Sequence, residues 1–350
     1  MEVFSLNNEV PKFLTELENC KLCEWQCGVN RITGELGVCK IGIPQVASCQ
    51  LHPAPPQSYT IFMAGCNFKC LNCQNWTIAH YPDTNTVIRG YVDPKELAKE
   101  SLAAINSPMG QFIGADRIFF SGGEPTIHLP YIEKIVEEAR KIGPETKVNF
   151  DTNGFLTMNS LKRVLKFTTS ITFDIKAYND DVHRALTGAL SEPVLRNAEY
   201  IAKHARDKLW EYRILVVPGI VDVEEVQAVC EFIASIDPTL PVCFLVFRPN
   251  FVLDQCMGAT WKLMDKVVEV ARKAGLIKVD WAGRPNIPGY ELKNFERLKA
   301  KISKYYEHEW ALKAAVYALK AGCKAHPRNC GTCNVKLHCP LKKYTPARTT

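Results

Sequence analysis

Three cysteines lie close together in GCNFKCLNCQNW, spaced as Cys66-x3-Cys70-x2-Cys73. Thiolates are ligands for soft metals, and three on one short loop can face one corner of an iron–sulfur cube. A [4Fe–4S] cluster normally takes four ligands. With no obvious fourth cysteine nearby, one iron would stay open, and an open iron can bind a small molecule. Zinc is a competing reading of the triplet, but zinc prefers four closed ligands, often as two separated pairs. Chance is the third reading, and the triplet's position directly after an apolar run of strand length counts against it.

The rest of the cysteine pattern points the same way. Of the 15 cysteines, a compact set precedes the triplet as Cys20-x2-Cys23-x3-Cys27-x11-Cys39, with Gly28, Gly34 and Gly37 to help the loop turn. Another set closes the chain as Cys323-x6-Cys330-x2-Cys333-x5-Cys339, where His326 and His338 could replace a thiol. Either set can hold zinc, a single iron or an auxiliary iron–sulfur cluster. The remaining four, Cys49, Cys230, Cys243 and Cys256, stand alone. Cys230 and Cys243 sit in the apolar stretches AVCEFIA and PVCFLVF, where a buried structural thiol is expected.

The opening MEVFSLNNEV has neither the basic start nor the apolar stretch of a signal peptide. A cytoplasmic location follows as the expectation, and dense cysteines there suggest metal binding over disulfides. No apolar run approaches the ~20 residues needed to cross a bilayer, so no membrane is expected as a partner. The net charge of +6, from 43 basic and 37 acidic residues, is a mild excess spread along the 350-residue chain. It suits anionic ligands or simply a soluble surface, and nothing resembles a basic arm for nucleic acid.

The elements that must position these groups are legible as an alternation. Apolar runs recur as YTIFMAG (59–65), RIFFSGG (117–123), KVNFDTNG (147–154), SITFDIKA (170–177), YRILVVPG (212–219), PVCFLVFR (241–248) and LIKVDWAG (276–283). Amphipathic stretches such as DPKELAKESLAAI, LPYIEKIVEEARKI, VEEVQAVCEFIASI and WKLMDKVVEVARKAG lie between them. Strand alternating with helix implies an α/β fold with a parallel sheet. Several runs end in polar or glycine turns, AGCN, SGGEP, DTNG and DIKA, at the carboxyl ends of strands where α/β folds gather their chemistry. The proline-rich segment 45–58 is expected to be a linker, giving an N-terminal cysteine module at 1–50, a main domain at 51–285 and a helical extension with the last cysteines at 286–350.

Taken together, GCNFKCLNCQNW with Phe68 before the second cysteine, Ser121-Gly122-Gly123-Glu124-Pro125, Asp151-Thr152-Asn153-Gly154 and Asp174-Ile175-Lys176 resemble the radical S-adenosylmethionine (SAM) superfamily. The likeness is to its pyruvate formate-lyase activating enzyme group, over roughly residues 59–250. The resemblance implies a partial (β/α)6 TIM-like barrel with cysteine-rich extensions at both ends. It implies a [4Fe–4S] cluster on Cys66, Cys70 and Cys73, with SAM bound to the open iron. It places Gly122, Gly123 and Glu124 at the SAM amino group, and Asp151, Thr152 and Asp174 around a monovalent cation near the SAM carboxylate. Lys176 falls near that carboxylate or the substrate, Arg213 near the SAM ribose and carboxylate, and Asn75 and Trp76 near the adenine.

Read from the residues alone, Asp151 is equally a helix N-cap, Asp174 and Lys176 a surface pair, Arg213 a surface salt bridge and Trp76 core. His183 and Arg184 are further candidates for substrate contact. The function implied is modification of a carbon in a protein or peptide, with electrons from a flavodoxin- or ferredoxin-type donor in an anaerobic setting. The terminal cysteine sets depart from the small activating enzymes. That leaves two alternatives: a cobalamin-dependent methyltransferase of protein side chains, as in methanogens, although the D-x-H-x-x-G motif is absent, and a non-enzymatic iron–sulfur electron carrier.

Overall fold

The computed structural model describes residues 10–84, 86–253 and 256–285. The C-terminal cysteine set and the helical stretch expected before it lie outside the described residues. The described residues form two compact units, one built from 10–67 and 75–172, the other from 68–74 and 173–285.

The first unit holds strands β1 (Val46–His52), β2 (Ser58–Met63), β3 (Arg117–Gly122) and β4 (Lys147–Thr152). Its helices are α1 (Trp76–Ala79), α2 (Pro94–Ile105), α3 (Pro108–Ile113), α4 (Leu129–Ile142) and α5 (Met158–Phe167). β2, β3 and β4 are parallel neighbours, and β1 pairs antiparallel with β2. The parallel strands share one apolar face: register places Ile61, Ile118, Phe120, Val148 and Phe150 on the same side, all fully buried, while Thr60, Phe119 and Asn149 lie on the other. Register brings Met63 level with Gly122, so the loop bearing Cys66 and the SGGEP turn leave the sheet at the same edge.

Local chemistry sets the helix starts. The Asp93 carboxylate caps α2 by accepting from the backbone of Lys95 and Glu96, with Pro94 at the first helical position. The Thr157 hydroxyl caps α5 by accepting from Ser160 N.

Strand β5 (Ser170–Asp174) begins in the first unit and ends in the second. The second unit continues with α6 (Asp180–Thr187), α7 (Glu192–His204), β6 (Leu209–Val216), α8 (Val223–Ile236), β7 (Val242–Val246), α9 (Trp261–Lys273) and β8 (Val279–Ala282). β6, β7 and β8 are parallel, with Tyr212 level with Val242 and Val242 level with Val279. Cys230 on α8 and Cys243 on β7 are buried as expected, and burial pushes both thiols up to about 12.

Segment 45–58 is not a linker. Val46–His52 is strand β1, and residues 10–67 belong to one compact unit with the described residues of 75–172. The apolar residues that seat β1, Val46 and Ala47, are buried, while the prolines that suggested a linker occupy the turn into β2. Phe120, central in β3 and level with Ile61 and Phe150, tests this packing: Phe120→Ala should destabilise the protein by about 3–5 kcal/mol in urea unfolding.

Candidate functional site

In the first unit, the end of β2 and the SGGEP turn are pressed together, backbone to backbone. Gly123 N donates to Met63 O at 2.8 Å and Glu124 N to Gly65 O at 3.0 Å. A Cβ on Gly123 would lie 1.9 Å from the Gly65 carbonyl oxygen, and one on Gly122, at φ +114°, would lie 2.3 Å from Met63 N and O. No side chain fits at either position, so the two glycines are a condition of the fold here. The His128 ring is bonded at 2.8 Å to Ala64 O, one turn further on.

Glu124 is 1% exposed, and its carboxylate faces the DTNG turn. It accepts from Thr126 N at 3.1 Å, Thr126 Oγ1 at 2.5 Å, Thr152 Oγ1 at 2.8 Å and Asn153 N at 2.8 Å. Burial pushes this carboxyl up to about 7 against those donors, which favour its charged form. Glu124 and Thr152, expected at SAM and at a cation, thus bond to each other and tie the two turns into one structure.

Asp151 is not a helix cap, since Thr157 has that role for α5. Its two carboxylate oxygens accept from Ser121 Oγ and from Thr172 Oγ1, each at 2.7 Å. Asn75 Nδ2 donates to Gly122 O at 3.0 Å, and Trp76, half-buried, starts α1; it is not core.

Cys66 is buried, and its sulfur accepts from Asn153 Nδ2 at 3.8 Å. That same amide donates to Asn67 Oδ1 at 2.7 Å, and Asn67 O accepts from Trp25 Nε1 at 2.8 Å. Asn67, Asn153 and Trp25 were not singled out from sequence as site residues. The signal was present for two of them, because Asn153 stands inside DTNG and Asn67 follows Cys66. Nothing in the sequence points from Trp25 to residue 67.

In the second unit, Lys176 Nζ lies 2.6 Å from Asp174 Oδ2, with both side chains about three-quarters buried. Burial alone would weaken the ammonium, but Asp174 and the nearby Cys70 and Cys73 hold its pKa above the ordinary lysine value. It is therefore a fixed cation beside two cysteines and not a base. Burial pushes the Cys70 thiol up to about 12, with Lys176 opposing.

Two backbone bonds to the end of α6 pin the loop: Lys69 N to Thr187 O at 2.9 Å and Leu71 N to Leu186 O at 3.0 Å. Phe68 packs edge-on against the His183 ring, centroids 5.4 Å apart. His183 is fully buried, and that burial lowers it to about 4. It supports Phe68 and has no surface for substrate. Arg184 pairs with Asp180 at 2.5 Å, and Arg213 Nε with Glu211 at 2.7 Å on the same strand.

Residues 60–233 match the model of the Radical SAM superfamily, and the chain carries that family's domain. The α/β fold with its parallel sheet agrees with the family's partial TIM-like barrel. An uncharacterized protein of Methanocaldococcus jannaschii is 28% identical over 272 residues, 74% of this chain and 76% of its own. The pyruvate formate-lyase-activating enzyme of Staphylococcus aureus is 27% identical over 191 residues, 52% of this chain and 71% of its own. Among solved structures, Streptococcus suis SuiB bound to S-adenosylmethionine aligns with TM-score 0.47 and 14% identity, over 62% of this chain and 48% of its own.

Glu124 gives a pH test. The unfolded carboxyl releases its proton near the ordinary glutamate value of 4.5, whereas the folded one keeps it to about 7. Between those values the folded state binds more protons, so stability from this group falls as pH rises, by about 3 kcal/mol in all. Urea unfolding from pH 4.5 to 7.5 should show Glu124→Gln lacking that decline. Parallel pH profiles for the two proteins would contradict it.

Proposed function

We propose that the protein is a radical SAM enzyme that modifies a carbon of a protein or peptide substrate. The observation that supports this reading is the backbone-to-backbone packing of the Gly122-Gly123 turn on the segment that leads into Cys66, in a domain of this family. The donor set suits a [4Fe–4S] cluster: Cys66 and its chain neighbours Cys70 and Cys73 are thiols that burial keeps from ionising unaided in the case of Cys70, and bound iron supplies the positive charge that deprotonates a ligand thiol. When bound, the cluster supplies the electron that splits SAM into methionine and a 5′-deoxyadenosyl radical able to take hydrogen from an unreactive carbon.

The chain's own residues do the holding. Lys176, a permanent cation, offsets the charge of the cysteine thiolates nearest to it. Asn153 donates to the Cys66 sulfur and fixes its orientation. Gly122 and Gly123, assigned to the SAM amino group, let the SGGEP turn lie directly on the segment that leads into Cys66. Asp151, already held by Ser121 and Thr172, is assigned to a monovalent cation, as Asp174 is by its motif. Glu124 acts behind these groups as a positioning residue. Arg213 and Trp76 are assigned to the SAM ribose, carboxylate and adenine.

The protein substrate is proposed from the activating-enzyme relative, whose name states that it activates pyruvate formate-lyase. A flavodoxin- or ferredoxin-type donor supplies the electrons. The set Cys323, Cys330, Cys333 and Cys339 is proposed to hold a further metal or an auxiliary cluster in the extension at 286–350.

Protein reconstituted with iron and sulfide without oxygen, reduced with dithionite and given SAM should release 5′-deoxyadenosine. Cys66→Ala, Cys70→Ala and Cys73→Ala should each reduce that release to background. Wild-type yields from any one of them would overturn the assignment.

A further inference from the structure

The N-terminal cysteines share a fold of their own within the first unit. Cys20, Cys23 and Cys39 are buried, and Cys27 is half-buried. Short backbone bonds wind the chain around them: Gly28 N to Cys20 O at 2.9 Å, Gln26 N to Cys23 O at 2.8 Å and Cys20 N to Val29 O at 3.1 Å. A Cβ on Gly37 would lie 2.8 Å from the Cys27 sulfur, so the loop carrying Cys39 presses on Cys27. Cys39 packs with Ile41 and Ile127, the residues whose carbonyls the Arg31 side chain binds. As they stand, no three His, Cys, Asp or Glu side chains among the described residues converge as metal ligands, so an ion here requires the cysteine side chains to turn toward one another.

A second observation comes from Arg31, which is 1% exposed. Its Nε donates to Ile41 O and Gly42 O, both at 2.9 Å, and its NH1 to Ile127 O at 2.7 Å and the Cys20 sulfur at 3.6 Å. Its NH2 is buried with no partner. No carboxylate among the described residues pairs with it. A buried guanidinium with neither a counter-anion nor a full set of acceptors is costly, and the sulfur within its reach is that of Cys20.

We propose that Cys20, Cys23, Cys27 and Cys39 bind one divalent ion of the zinc type as four thiolates, with Arg31 as the internal counter-charge of the resulting dianion. A closed set of four thiolates is the structural kind of zinc site, and the contact of Gly37 on Cys27 leaves little room for an iron–sulfur cube. The consequence is mechanical. Glu24 N bonds to Phe155 O at 3.3 Å, Thr157 N to Leu22 O at 3.2 Å, and Trp25 Nε1 to Asn67 O. The ion would thus fix the loop that braces both the residue after Cys66 and the chain following DTNG. The inference does not depend on the radical SAM reading, because its readout is metal content and not SAM cleavage.

The test uses the full chain purified without oxygen from zinc-supplied cells, with zinc and iron counted by mass spectrometry. Cys39→Ser should lose one zinc per chain at unchanged iron. Unchanged zinc, or a fall in iron in its place, would overturn the site. A chain with Cys323, Cys330, Cys333 and Cys339 all replaced by serine keeps the proposal testable if Cys39→Ser does not fold. It should still take up one Co2+ with intense thiolate-to-cobalt absorption, and the absence of that absorption would also overturn the site. Arg31→Met should weaken zinc retention against a chromophoric chelator roughly 10- to 100-fold, while Arg31→Lys retains most of it. Wild-type retention in Arg31→Met would overturn the counter-charge role.

Discussion

The buried carboxylate of Glu124 is the interaction on which the first half of the site depends. It collects two donors from its own turn and two from DTNG, so the loops after β3 and β4 cannot move separately. A carboxylate removed from water is tolerable only when its lone pairs are met, and here strand register supplies the donors. The same register sets Gly122 against Met63 and lets Gly123 touch Gly65 backbone to backbone. Any side chain at either glycine would push the SGGEP turn off the segment that leads into Cys66.

Charge is handled differently in the two units. In the first, neutral amides orient the ligand sulfur: Asn153 reaches both Cys66 and Asn67, and Trp25 holds Asn67 from the N-terminal segment. In the second, an ion pair stands beside the cysteines, with Lys176 fixed by Asp174 and raised above its ordinary value by that carboxylate and by Cys70. Such a cation favours the thiolate form of a neighbouring cysteine, the form in which sulfur ligates a metal.

Much of this was legible in the chain. Strands β2 to β8 follow the apolar runs because each places apolar side chains against the core, and several of the turns that end them carry the motif residues. β1 was not legible. Only Val46 and Ala47 of it are apolar and buried, and the prolines after it resemble a linker. Lys176 and Asp174 read equally as a surface pair, since sequence does not report the depth of an ion pair. Glu124 illustrates a related limit: its type and place were recognisable, but not the direction its carboxylate faces. His183 misled because a histidine beside an arginine suggests chemistry, whereas its ring serves as packing under Phe68. Arg31 carries no motif at all, and its meaning comes from burial without a carboxylate partner.

The central claim is that three cysteines leave one iron of a [4Fe–4S] cluster open to SAM. It is tested most directly by electron paramagnetic resonance of the dithionite-reduced wild-type protein before and after SAM is added. The account predicts that the cluster signal changes its g-values when SAM binds. A fully loaded, reduced cluster whose signal is the same with and without saturating SAM would contradict it.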